Sequence, residues 1–460
     1  MSTAYDKKAR QSSTALSELS GSQSYRRQWA MLAGVTVGVG IASGFAGMGL
    51  GLLLRLLQHV AFGYSMHTLK SGESFTQGVT AASDLRRFLV LCLCGAVAGV
   101  GWWLLFRFGK PLVSIAQAVR ENGPRMPFLA TMIHAVLQIV TVALGSPLGR
   151  EVAPRELAAD FTTWLSESAG LDPRYTRIMI ACGAGAGLAA VYNVPLGGTL
   201  FTLEVLLGTF EISALIPALT TSVIATAVAW IGLGNSPQYL VPPLAISASL
   251  TTWSIVIGPA FGLAAYFFVQ ATKTARAHAP KDWRLISWCA VVFPVIGLLA
   301  FRFPQLLGNG KGLAQSGFEN DIGLKLAATL LLLRLVVITG ALRAGAAGGL
   351  LTPGLSIGGL LGIVLGSLWN YAWPSGSLAC FAIVGSAAFL ACSMKMPLTA
   401  IVLTMEFTRV GHDFLVPISL AVAGSFAVFH LCTQRTLFVR AVTVKRAEVS
   451  VHAVPVEALD

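Results

Sequence analysis

Charge is what this chain is short of. Across 460 residues only 11% are Asp, Glu, Lys or Arg, less than half the roughly 25% usual in soluble domains. A chain this long reads by default as two or three soluble domains. That reading fails, because 32 basic and 20 acidic side chains cannot clothe 48.3 kDa in water. Disorder fails for the opposite reason. It needs low hydrophobicity, and 55% of the residues are apolar before any of the 48 glycines is counted. Metal and redox spacings are missing too. Cys92, Cys94, Cys182, Cys289, Cys380, Cys392 and Cys432 all lie in or beside apolar segments, and Cys92-Leu93-Cys94 matches neither a redox nor a zinc pattern. They read as buried small hydrophobes. The seven histidines are scattered without ligand spacing, so no metal and no cofactor is expected, and His134 reads as a core histidine. No basic stripe with interleaved aromatics accompanies the net charge of +12, which argues against nucleic acid. The first 28 residues hold no apolar core and so do not form a cleavable signal peptide.

What is present is a multi-span membrane protein, read as one integrated domain. Lys7, Lys8, Arg10, Arg26 and Arg27 precede the first apolar stretch, which predicts a cytoplasmic N-terminus. Apolar stretches recur at about 29–57, 88–106, 127–146, 177–206, 213–234, 251–271, 286–302, 324–342, 344–371, 377–403 and 414–433. A straight span needs roughly 20 apolar residues. Several stretches are shorter than that, and others are cut at Gly145-Ser146-Pro147, Asn193-Val194-Pro195, Gly348-to-Pro353 and Lys395-Met396-Pro397. Broken helices survive in a membrane only where the freed backbone is buried in protein or lines a wet cavity. Many such breaks point to a transporter or channel.

An internal repeat sharpens this expectation. Residues 186–205 read AGLAAVYNVPLGGTLFTLEV and 388–407 read AFLACSMKMPLTAIVLTMEF, with Pro195, Thr202 and Glu204 matching Pro397, Thr404 and Glu406 at a shift of 202. A weaker match sets Gly149-to-Pro154 against the Gly349-to-Pro353 break. Interrupted segments at matching places in two copies point to a binding site near the membrane midplane. The expected organisation is a polar cytoplasmic segment 1–28, a transmembrane domain 29–440 with halves of about 29–235 and 250–440, and a short cytoplasmic tail 441–460.

Charges inside apolar sequence are costly and therefore functional candidates. The densest group is Leu148-Gly149-Arg150-Glu151-Val152-Ala153-Pro154-Arg155-Glu156. A helix starting near Val152 would set Glu151 beside its N-terminus, where N–H groups and the dipole attract anions. A carboxylate there can fill an anion site and leave it when protonated or displaced. The competing reading is an interfacial Glu151–Arg155 pair at i,i+4.

These segments resemble the CLC family of chloride channels and proton/chloride exchangers. Leu148-to-Pro154 is similar to the family's G(K/R)EGP signature, whose glutamate gates the anion path. Gly183-to-Val205 resembles "AAxFNAPLxGxLFxxEE". Gly348-to-Pro353 is similar to the GxFxP loop, whose backbone amides bind the anion, and Lys395-to-Glu406 resembles the later "PLTxxxxxxE" segment. The resemblance covers about residues 30–440. It implies an all-α polytopic fold of tilted, partly broken helices in an inverted repeat, and a homodimer with a separate pore in each subunit. It also implies a bacterial cell-membrane protein without C-terminal CBS domains, both termini cytoplasmic.

The departures bear on mechanism. Gly109-Lys110-Pro111-Leu112-Val113 stands where the family's GSGIP loop is expected, which puts Lys110 at the anion-coordinating serine. Val152 and Ala153 replace the Gly-Pro after the glutamate. Val205, after Glu204, occupies the place of the exchangers' internal proton-relay glutamate, and Phe438 aligns with the central pore tyrosine without its hydroxyl. The expected function is a passive or loosely coupled anion conductor, with chloride or another small monovalent anion as substrate. In this reading Glu151 is the gate, and Gly149, Arg150, Lys110, Leu350, Leu351 and Phe438 line the path. The alternative is a proton/chloride exchanger with another internal proton route, in which Glu204 is an auxiliary acid. Further off stand a small-solute permease built on inverted repeats and a membrane-embedded enzyme. The latter would need paired acids, a nucleophile–base pair or metal ligands, and none cluster here.

Overall fold

A computed structural model describes residues 2–63, 75–121, 123–374 and 376–452, with side chains described over 28–434 of these. The described residues contain no strand. Their helices run in the order α1 (Ser2–Phe62), α2 (Phe75–Ala81), α3 (Asp84–Phe108), α4 (Ile115–Ala118), α5 (Phe128–Ala143), α6 (Val152–Ser168), α7 (Pro173–Tyr192), α8 (Pro195–Phe201) and α9 (Ile212–Leu233). There follow α10 (Ala248–Ala277), α11 (Arg284–Arg302), α12 (Lys311–Phe318), α13 (Leu324–Arg343), α14 (Leu351–Ala372), α15 (Leu378–Ser393), α16 (Pro397–Thr408) and α17 (Leu415–His452). Helix is the answer lipid imposes, since every backbone N–H and C=O must be satisfied within the segment. Eight apolar helical stretches are long enough to cross a membrane: Gln28–Phe62, α3, α9, α10, α11, α13, α14 and His412–Gln434. The 30 residues of α10 make a rod of about 45 Å. A hydrocarbon core of roughly 30 Å accommodates that length by tilt.

Two compact units form. One comprises residues 1–54, 108–139 and 151–236, the other 55–107, 140–150 and 237–460. The expected repeat halves do not coincide with these units, because 55–107 and 140–150 cluster with the later sequence. In the second unit, for example, Gly95 and Gly99 of α3 let it close onto the backbone of α11 at Cys289 and Ile286. In the first unit α7 is the centre of packing. On one side Gly183 and Gly187 abut Thr162, Ala158 and Pro154 of α6, and on another Gly185 abuts Gly198 and Thr202. A β-carbon at any of the three would strike these neighbours, so small residues set the helix spacing here.

The repeat is visible in the local geometry. Gly145 and Gly345 both take the left-handed backbone that favours glycine, at φ +101° and +98°. Ser146 N–H then donates to the Thr141 carbonyl at 3.0 Å, and Ala346 N–H to the Ala341 carbonyl at 3.1 Å. Four residues beyond each glycine, Gly149 and Gly349 exchange N–H···O=C bonds of 2.8 and 2.9 Å as an antiparallel bridge. The helices that follow, α6 and α14, each carry proline as third residue, Pro154 and Pro353, where its missing N–H costs nothing. The second match is equally close. Asn193 and Lys395 are left-handed at φ 58° and 56°, and the next helices, α8 and α16, open on Pro195 and Pro397.

Candidate functional site

The helix start expected near Val152 is there. Glu151 is the N-cap residue of α6 and its side chain is fully buried, at 0% exposure. That burial removes the interfacial version of the ion-pair reading. Tyr192, the last residue of α7, donates its hydroxyl to Glu151 Oε2 at 3.4 Å. Arg155, one turn into α6, lies with its guanidinium 4.3 Å above the Phe201 ring and interacts electrostatically with Glu151, Glu156 and Tyr192. The carboxylate therefore sits at a helix N-terminus, with the Tyr192 hydroxyl and the aromatic-packed Arg155 cation among its partners.

The backbone segments of the second unit carry the other expected residues. Gly149 is held by its bridge to Gly349. Leu350 is the N-cap of α14 and Leu351 its first residue, at the turn where a helix presents N–H groups and the positive end of its dipole. Arg334, invisible to the motif reading, holds this region together. Fully buried on α13, it donates from Nη1 to the carbonyls of Leu306 and Gly308 at 2.9 and 2.8 Å, and from Nη2 to that of Pro147 at 3.2 Å. Gly308 N–H adds a bond to the Gly145 carbonyl at 2.9 Å. The loop that ends in Gly149-Arg150 is thus pinned from two directions.

Arg150 has two cationic neighbours that sequence spacing could not reveal. Lys311, first residue of α12, lies within electrostatic reach of Arg150 and of Arg55 on α1, and the last two also act on each other. Burial, with Arg150 and then Arg55 beside it, pushes the Lys311 ammonium down to about 7. Its charge is therefore present below pH 7 and lost above it.

Lys110 is in a different position from the one expected. It is exposed in the coil between α3 and α4. Pro111 keeps Lys110 out of the helical region, and the next helix begins at Ile115. Ser114 is its cap, with Oγ accepting from the Gln117 N–H at 3.3 Å. Ser114, four residues after Lys110, is thus the serine at a helix start here. Val205 and Glu204, both partly buried, lie in a short π-helical turn, Thr202–Leu207, that continues α8. Phe438 lies outside the residues whose side chains are described. His134 is a satisfied core histidine, as expected, but its partner is a carboxylate: Nδ1 lies 2.9 Å from Glu156 Oε2. The signal that could have found Tyr192 is its hydroxyl at the end of the apolar run 178–191, since a buried tyrosine usually has a hydrogen-bond partner.

The voltage gated chloride channel family model matches residues 94–430. The voltage-gated ClC-type chloride channel ClcB of Citrobacter koseri is 26% identical over 358 residues, covering 75% of this chain and 84% of that protein. Its Escherichia coli counterpart is 27% identical over 395 residues, covering 82% and 90%. Among solved structures, a slow cyanobacterial Cl−/H+ antiporter superposes with TM-score 0.76 at 20% identity, covering 87% of this chain and 95% of that one. A CLC-type fluoride/proton antiporter superposes with TM-score 0.64 at 21% identity, covering 86% and 95%.

Proposed function

The chain belongs to the voltage-gated chloride channel family, and from that premise we propose that it conducts chloride, or another small monovalent anion, passively or with loose coupling to protons, gated by Glu151. The observation that carries this reading is a fully buried carboxylate at the first turn of α6. A helix start supplies partial positive charge that attracts an anion without trapping it. Ionised, Glu151 competes for that place; protonated or displaced, it yields it. The neutral Tyr192 hydroxyl contacts it without locking it as a second full charge would. Gly149 and Arg150 on one segment and Leu350 and Leu351 on the other supply backbone to the path. Val205 cannot carry a proton, which supports loose coupling. The relatives named above divide on this point: the ClcB proteins are described as channels and the two structures as antiporters. Two subunits, each with its own pore, in a bacterial cell membrane with cytoplasmic termini complete the proposal.

The test is simultaneous recording of anion and proton movement from reconstituted protein. A chloride gradient is expected to drive little uphill proton movement, in a ratio that varies with the gradient. A fixed ratio across several gradients would establish obligatory exchange instead, and flux of amino acids in place of chloride would establish a permease.

The cation that tunes anion entry in this reading is Lys311. Lys311 acts electrostatically on Arg150, which this reading sets on the path, and a change of charge there that alters anion binding by about 1.4 kcal/mol is tenfold in affinity. Chloride affinity is therefore expected to rise as pH falls through 7, and Lys311→Met to flatten that step. The exposed Lys110 is read as a loop cation, so Lys110→Ser and Arg107→Ser should each shift affinity less than about threefold. A chloride titration between pH 5.5 and 8.5 decides. A step that survives Lys311→Met removes the lysine from the path.

A further inference from the structure

One face of α6 has no part in holding the anion. Glu156, Asp160, Thr163 and Glu167 follow at spacings of four, three and four residues, which stacks them in a single stripe about 16 Å long. Two contacts pin the preceding segment antiparallel to it. His134 Nδ1 lies 2.9 Å from Glu156 Oε2, and Arg125 Nε donates to Glu167 Oε1 at 2.8 Å. Gln138 Nε2 closes the inner end, 3.2 Å from Glu156 Oε2 and 3.0 Å from His134 Nδ1. Glu167 at the outer end is exposed, whereas Asp160 is 4% exposed.

Packing does not explain Asp160. Its Oδ2 is buried and makes no hydrogen bond, and neither does the buried Oγ1 of Thr131, one turn before His134 on the facing helix. Buried polar atoms are almost always satisfied, and a buried carboxyl without a partner is a cost that Asn or Ala would avoid. Ala159, its neighbour, belongs to a buried cluster against which Leu206 and Leu207, the residues that follow Val205, are packed. Asp160 therefore adjoins a cluster that the π-helical turn carrying Val205 also packs against.

We propose that this stripe is a proton route to Glu151, entered at Glu167 and passing through Asp160 to the Glu156–His134 pair, and that Asp160 does the work for which Val205 is unfit. The inference rests on Glu151 being the gate and deepens that reading. At each step one O–H or N–H bond breaks on the donor as one forms on the acceptor. A single water between the orphan atoms of Asp160 and Thr131 would span the seam, since two polar partners suffice to hold it. Burial pushes the Asp160 carboxyl up to about 6, so it both takes and releases a proton near neutrality. Arg155 cannot be deprotonated. It interacts with Glu156 and Glu151 alike and favours return of both to the ionised form, and water crosses the remaining 7.5 Å or so of helix rise between them. Of the other charged groups nearby, Arg120 and Glu121 are exposed in the turn after α4 and Glu204 is partly buried on the π-helical turn. Arg177 Nε donates to the Val119 carbonyl at 2.9 Å and Arg174 pairs with Glu211, while α4 carries no charge.

The experiment is chloride-driven proton uptake in vesicles, with chloride efflux read from the same sample. Wild type is expected to show small but measurable proton movement. Asp160→Asn should lower it at least tenfold and Asp160→Glu should restore it, with chloride efflux reporting that each variant is folded. Glu211→Gln, on the exposed pair with Arg174, is the control and should change neither flux. If Asp160→Asn does not fold, Glu167→Gln at the exposed entrance decides, with a severalfold loss of proton movement expected. No proton movement in wild type, or proton movement unaltered in the decisive variant, overturns the route. The gate reading fails on a separate result, a Glu151→Gln variant whose chloride flux keeps the full acid activation of wild type.

Discussion

Glu151→Gln is expected to hold the anion path open, raising chloride flux at neutral pH to the level wild type reaches only in acid, and to abolish proton movement. The carboxamide has the shape of the protonated acid but no charge with which to compete for the anion place at the start of α6. It also cannot carry a proton. An ionised carboxylate at a buried helix start is worth up to about 2 kcal/mol to that position, so its removal should raise the fraction of open paths by well over tenfold. The remaining pH dependence should be one step near 7, where the Lys311 ammonium loses its charge, and it should vanish in Glu151→Gln combined with Lys311→Met. Flux recordings from pH 5 to 8 on the single and double variants test this. A single variant with the wild-type acid activation would leave Glu151 as a structural partner of Arg155.

The second large effect lies outside the anion path. Arg334→Met should leave little folded protein. Its guanidinium satisfies the carbonyls of Leu306, Gly308 and Pro147 from a fully buried position. Hydrogen bonds to a charged donor contribute roughly 1.5–3 kcal/mol each, so three orphaned acceptors approach the 5–15 kcal/mol that holds a typical domain together. Arg334→Lys keeps the charge but not the fork. A single ammonium should reach fewer of the three carbonyls, leaving a folded but less stable protein. Yield of monodisperse protein and its thermal midpoint in detergent are the readouts. A methionine variant within about 2 °C of wild type would show that the loops around Gly149 hold without the clamp.

How much of this was legible in the sequence follows the range of the interactions involved. The helical class, the spans and the break points were legible because composition and local punctuation encode them. Left-handed Gly145, Gly345, Asn193 and Lys395, and prolines at helix starts, act on their own backbone and show in the residue order. Glu151 was legible for the same reason: a helix start two residues before Pro154 is a local event. The start of α4 is less legible, since Pro111 and Ser114 both qualify as helix openers by residue type, and in the structure Ser114 is the cap.

The sequence by itself determined a helical membrane protein of two related halves, with a carboxylate at an interrupted segment. Only the tertiary structure decided which side chains surround that carboxylate. Tyr192 lies 41 residues from Glu151, Lys311 lies 161 residues from Arg150, and Arg334 lies 187 residues from Pro147. The assignment of 55–107 and 140–150 to the later unit, against the repeat halves, was decided there too. Apolar periodicity says that a helix has a buried face, but nearly every face here is apolar, so the pattern does not give the rotation of one helix against another. That rotation is set by close packing, such as the contacts Gly183, Gly185 and Gly187 permit around α7. It decides whether a buried charge such as Asp160 meets a partner or stands alone.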